Sequence, residues 1–158
     1  MAGASSGIRR IVVGVDGSEH GQVALKWAIA LAREVGATKV VAVFAFELPA
    51  NTYYRHEFIR PFEHVEEWRE ELTQAFETKW CAPLKRSGLK FEMVVEDGRP
   101  AAVIADVAER VNADLIVVGR RGRGGLAEML LGSVSHELSR QAVRPVALIS
   151  QERSASKA

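Results

Sequence analysis

Five short apolar runs punctuate the chain, at residues 11–15, 40–46, 91–95, 115–118 and 146–149. Four are nearly continuous and rich in valine or isoleucine. A strand covered on both sides has no polar face to show, so runs of this kind predict a parallel sheet sandwiched by helices. The third run differs. Phe91, Met93 and Val95 are interleaved with Glu92 and Val94 and followed by Glu96, and this partial alternation predicts a half-exposed edge strand.

Between the runs, apolar residues recur at helical spacing. Val23, Trp27, Leu31 and Val35 form one stripe, with Ser18 placed to cap its start and Gly36 to stop it. Phe62, Val65, Leu72 and Phe76 form a second, with Trp68 on its flank. Pro83 is expected to kink or end that helix, because proline removes a donor and crowds the preceding turn. Pro100 suits the first turn of a third helix whose inward residues are Val103, Ile104, Val107 and Val111. A last helix opens near Gly132 and carries Leu138 and Ala142 towards Pro145.

The order β-α-β-α-β-α-β-α-β predicts an α/β fold, a single doubly wound five-stranded parallel sheet with helices on both faces and right-handed crossovers. Strand orders 2-1-3-4-5 and 3-2-1-4-5 both suit five strands. We favour 3-2-1-4-5, which puts the half-polar third strand at an edge and keeps the apolar second strand inside. Ligands of such sheets bind beyond the carboxyl ends of the strands, where the winding reverses. In the favoured order that point lies between the first and fourth strands.

At 158 residues the chain suits one domain, read here as residues 8–150 between loose tails at 1–7 and 151–158. Lys plus Arg is 21 and Asp plus Glu is 20, a balance that argues against a nucleic-acid binder. No apolar run approaches the roughly 20 residues of a membrane span, and the N-terminus lacks a signal-peptide core. A single cysteine, Cys81, cannot form an internal disulfide and points to a reducing, cytoplasmic home. His20, His56, His64 and His136 show no pairing that suits zinc.

The chemistry is expected in the two loops at the reversal point, and these are the most unusual loops in the chain. The first strand is followed by Asp16-Gly17-Ser18. The fourth is followed by Gly119-Arg120-Arg121-Gly122-Arg123-Gly124-Gly125, and later by Gly132-Ser133-Val134-Ser135. Glycines there permit positive φ and close approach of the main chain to a ligand, and successive N–H groups can form an anion-binding nest. Gly132-Ser133 opens a helix, whose free N–H groups and dipole favour phosphate. Ser133 and Ser135 offer hydroxyls, and Arg120, Arg121 and Arg123 offer the charge a triphosphate needs. Asp16 is placed to receive ribose hydroxyls or to help hold magnesium, and equally to form a turn beside Gly17 or cap the first helix. Neither a Walker loop nor the G-x-G-x-x-G dinucleotide fingerprint follows the first strand.

The spacing Gly119-x2-Gly122-x9-Gly132-Ser133 resembles the G-x2-G-x9-G-[S/T] pattern of universal stress proteins of the ATP-binding type. The resemblance runs from about Ile8 to Ser150, including Val13-Gly14-Val15-Asp16-Gly17-Ser18 and Arg144-Pro145-Val146. It implies a 3-2-1-4-5 sheet, dimers and bound ATP, with magnesium as a possible companion. It places Val15 and Asp16 by the adenosine and Ala45 at the adenine wall. Around ribose and phosphates it places Gly119, Arg120, Gly122, Gly132, Ser133, Val134 and Ser135. Arg120 and Arg121 stand where many members carry Ser-His.

Independently of the resemblance, the fifth strand is an apolar edge, an aggregation liability unless covered. A second copy pairing across a two-fold axis in the region of Val146 and Leu148 would cover it. The expected function is that of a dimeric, ATP-binding, nucleotide-responsive stress-response module, with catalysis absent or slow. The competing expectations are a slow ATPase or nucleotide hydrolase, a phosphorelay receiver using Asp97, and a nucleotide-free oligomerisation module. The 47–61 segment, with Tyr53, Tyr54, Arg55, His56 and Phe58, is read as a packed surface excursion, with a lid or partner site as its alternative. The sequence singles out no downstream protein partner.

Overall fold

The computed structural model describes residues 7–48, 64–122 and 131–151. All five apolar runs are strands: β1 (Arg10–Gly14), β2 (Lys39–Phe46), β3 (Phe91–Asp97), β4 (Leu115–Gly119) and β5 (Val146–Ile149). They pair in parallel in the order β3-β2-β1-β4-β5. That order sets aside 2-1-3-4-5. It also puts Asp97 at the end of an edge strand, where Arg69 Nε donates to its Oδ1 at 2.8 Å, away from the middle position a receiver aspartate would need.

Each inner strand feeds both faces by simple alternation. Ile11 and Val13, Val40, Ala42 and Phe44, and Leu115 and Val117 enter one core. Val12, Val41 and Val43, and Ile116 and Val118 enter the other. The first core is covered by α1 (Glu19–Val35) and by the segment from α2 (Val65–Ala75) to α3 (Ala82–Lys85), the second by α4 (Pro100–Arg110) and α5 (Ser133–Gln141).

Helix α1 begins and ends as its sequence predicts. Ser18 Oγ accepts from Gly21 N–H, and Gly36 closes the helix at φ 66°. Its buried face, however, is not the expected Val23, Trp27, Leu31 and Val35 stripe. Ala24, Ala28 and Ala32 lie against the sheet with Leu25 and Ile29, while Trp27 and Val35 are exposed. Small side chains let the helix axis sit close to the strands, so the bulkier stripe is turned outward.

The second helix changes character before its proline. After α2 comes a π-helical turn, Phe76–Trp80, in which Cys81 N–H reaches back to Phe76 O at 3.0 Å. The chain then restarts as α3, with Pro83 in its first turn. The break falls just ahead of the proline because a proline is tolerated where a helix begins. Phe76 and Trp80 both pack on Phe44, with ring centroids 5.8 and 5.4 Å away. Cys81 is buried there, and desolvation pushes its thiol up to about 12, so it stays protonated at neutral pH. In α4, Val103, Ile104 and Val107 are buried as expected, and Val111 at the helix end is only partly covered.

The two edges of the sheet differ. β3 is half-exposed, as predicted, and its polar positions are engaged: Glu92 pairs with Lys39 and Glu96 with Arg110. Among the described residues β5 pairs only with β4, and all four of its residues are partly uncovered. Among the described residues no helix is long and apolar enough to cross a membrane. Most of both tails, Phe62 and most of the 47–61 segment lie outside the described residues.

Candidate functional site

The loop after β1 is built around Asp16. Its Oδ1 accepts Ser18 N–H at 3.0 Å and Ser18 Oγ–H at 2.5 Å, while Ser18 Oγ accepts Gly21 N–H at 3.0 Å. One carboxylate oxygen thereby shapes the turn and, through Ser18, the cap of α1. The turn needs Gly17 at φ 80°, and the Trp80 indole occupies the space a β-carbon would take. Asp16 thus takes the turn-forming role given above as its alternative. Its other oxygen, Oδ2, is turned towards the loop after β4: a β-carbon on Gly122 would lie 2.7 Å from it.

The loop after β4 is fixed through the main chain of Arg120. Arg120 N–H donates to Ile149 O at 2.8 Å, and Arg120 O accepts Gly132 N–H at 2.9 Å and Ser135 Oγ–H at 2.8 Å. Ser135 Oγ also lies 3.0 Å from Gly132 O, and the residue is buried. Its hydroxyl proton is therefore directed at main-chain carbonyls, whereas the sequence suggested a donor to phosphate.

These bonds place the start of α5 against the loop. Gly132 is its N-cap, and among the described residues no side chain caps the helix. The intrahelical ladder opens with His136 N–H to Gly132 O at 2.9 Å, so the N–H groups of Ser133, Val134 and Ser135 precede it and point out of the helix end. None of Gly119, Gly122 and Gly132 takes a positive φ, so the permission glycine gives for such values is not what these three supply. They are needed for closeness: a β-carbon on Gly119 would meet His20 O at 2.7 Å, and one on Gly132 would press on Arg121 Cα at 3.3 Å. Arg123, Gly124 and Gly125 lie outside the described residues.

Above the carboxyl ends of β1, β2 and β4 lies a cavity of about 510 Å³, within the roughly 300–1,000 Å³ usual for small-molecule sites. Val15, Asp16, Ala45, Gly119, Gly122, Gly132, Ser133, Val134 and Ser135 all line it. Arg120 does not, and its neighbour Arg121 does. The lining holds two kinds of residue. Asp16, Arg121, Gly122 and the start of α5 are polar or present main-chain N–H groups, while Ala45 and Phe46 from β2, Pro100 and Ile104 from α4, and Trp68 and Leu72 from α2 are apolar, with Glu47 beside them. Sequence reasoning missed the helix residues of the apolar set. The available signals were Trp68 on the flank of its helical stripe and Pro100 at a helix start just past β3. Among the described residues no group of three or more His, Cys, Asp or Glu is placed to hold a metal ion.

The sequence profile of the universal stress protein family matches residues 7–150. The universal stress protein YxiE of Bacillus subtilis is 33% identical over 144 residues, covering 89% of this chain and 97% of its own length. Among solved structures, the hypothetical protein MJ0577 superposes with a TM-score of 0.77 at 26% identity, covering 93% of this chain and 99% of that one. A universal stress protein in complex with cAMP superposes at 0.67, covering 90% and 97%; at 24% identity the likeness is one of fold.

Proposed function

This chain belongs to the universal stress protein family, and on that premise we propose that it binds ATP in the cavity at the reversal point and acts as a dimeric, nucleotide-responsive module of the stress response in the cytoplasm. The observation that carries the reading is that one cavity is lined by the start of α5, Arg121 and the closely apposed Asp16 and Gly122 together with apolar residues of β2, α2 and α4. The polar set suits a polyanion and a ribose, the apolar set a base. A hydrogen bond to a charged group contributes about 1.5–3 kcal/mol net. A few of these, with burial of the base, reach the roughly −8 kcal/mol of micromolar binding.

In this reading the N–H groups of Ser133, Val134 and Ser135 face the phosphates and Asp16 Oδ2 faces the ribose, while Ala45 borders the base. Magnesium would arrive on the phosphates, since Asp16 Oδ1 is engaged by Ser18 and no metal-binding cluster stands ready among the described residues. ATP would act by binding one conformation more tightly than another. The test is to denature purified protein, identify any released nucleotide, and titrate the stripped protein with ATP by calorimetry. Saturable binding at about micromolar Kd is the expected result; no heat of binding and no released nucleotide would defeat the reading.

The dimer rests on β5, whose outer edge has no strand beside it among the described residues and whose Val146 and Leu148 are partly uncovered. Sedimentation equilibrium at micromolar protein is expected to give twice the 17.3 kDa chain mass, with Leu148→Asp shifting the population towards the monomer. A wild-type protein that sediments as a monomer would remove this part of the proposal.

A further inference from the structure

Trp68 lines the cavity from α2, beside Phe46 of β2. Its ring meets Phe46 edge to face, with centroids 5.2 Å apart and planes at 70°. That contact does not consume it, for Trp68 remains 38% exposed while also lining the cavity. Trp68 therefore both meets Phe46 and borders the cavity.

The ring is also held in place. Arg69, the next residue, donates from Nε to Asp97 Oδ1 at 2.8 Å, and Asp97 is the strand partner of Phe46. Neighbouring residues of α2 therefore grip neighbouring ends of β2 and β3, one by ion pair and one by ring contact. Thr73 Oγ–H closes on Arg69 O at 2.8 Å within the same helix. An aromatic platform fixed in advance loses little freedom when a flat ligand settles on it.

We propose that Trp68 is a specificity-determining residue of the cavity, presenting its ring face to the base of the bound nucleotide, with α2 pinned over the site by Arg69 and Asp97. The inference rests on the nucleotide reading above and extends it to a residue that neither the glycine motif nor the loops supply. Stacking accepts any base, so Trp68 would separate nucleotides from base-free polyphosphates and leave the choice among bases to polar groups.

The experiment compares ATP with inorganic tripolyphosphate on wild type, Trp68→Ala and Trp68→Phe by calorimetry, with thermal melts to show that each variant folds. Trp68→Ala is expected to weaken ATP binding about tenfold, the scale of one base–aromatic stack. Tripolyphosphate binding should be unchanged, and Trp68→Phe should recover most of the loss. ATP bound equally by wild type and Trp68→Ala, or an equal loss for both ligands, would overturn the role of Trp68 while leaving the nucleotide reading intact. Wild-type protein that binds no ATP would overturn both.

Discussion

Gly122→Val is expected to lower ATP affinity about a hundredfold or more while leaving the fold in place. The new β-carbon would stand 2.7 Å from Asp16 Oδ2, well inside contact distance. A carboxylate at the end of a free side chain would swing away at little cost. This one cannot, because its other oxygen holds Ser18 N–H at 3.0 Å and Ser18 Oγ–H at 2.5 Å. Either the turn opens or the loop after β4 retreats from the cavity, and the branched valine fills space beside Asp16 in both cases. Losing two charge-assisted hydrogen bonds at about 1.5 kcal/mol each gives the hundredfold figure. Calorimetry on nucleotide-free protein measures it. Equal affinity in variant and wild type would show that the polyphosphate end of the ligand does not lie against this loop.

Phe76→Ala should produce the largest loss of stability, about 3–5 kcal/mol, the range for emptying a buried phenylalanine site. Phe76 is fully buried, lies at the start of the π-helical turn, and packs on Phe44 with centroids 5.8 Å apart. Its neighbour along the path to the cavity depends on the same packing: Trp80 also rests on Phe44, and it lies against Gly17 beneath the Asp16 turn. Urea titration reads the effect as a lower midpoint at unchanged slope. A loss below about 1 kcal/mol would mean that the site collapses around the missing ring.

The sheet was readable because its code is short-range. Continuous valine and isoleucine runs need cover on two faces, and the glutamates of β3 could only belong at an edge. From those two facts the strand order followed, and from the order came the two loops that meet in the cavity. Periodicity was less informative for α1. Counting bulky residues selected Val23, Trp27, Leu31 and Val35, but helices approach a sheet through what is small, and Ala24, Ala28 and Ala32 made the contact. At the site, spacing identified the glycines but not their reason, which is closeness between segments far apart in sequence. The same limit hid Arg120 as a main-chain hinge for Gly132 and Ser135, with Arg121 left to line the cavity. Trp68 and Pro100 join the wall only through tertiary packing, and no local pattern announces that.

The contrast between the two rims of the sheet limits how far copies of this chain can be strung together. Glu92 with Lys39 and Glu96 with Arg110 load the β3 rim with paired charges, which deter a further strand from joining there. Any growth by strand addition must then start from β5, and two chains joined β5 to β5 would present guarded flanks at both outer limits. Such a ribbon terminates itself. Fibre formation would need the charges of the β3 rim removed first, as by Glu92→Val with Glu96→Val, before polymerisation becomes open-ended.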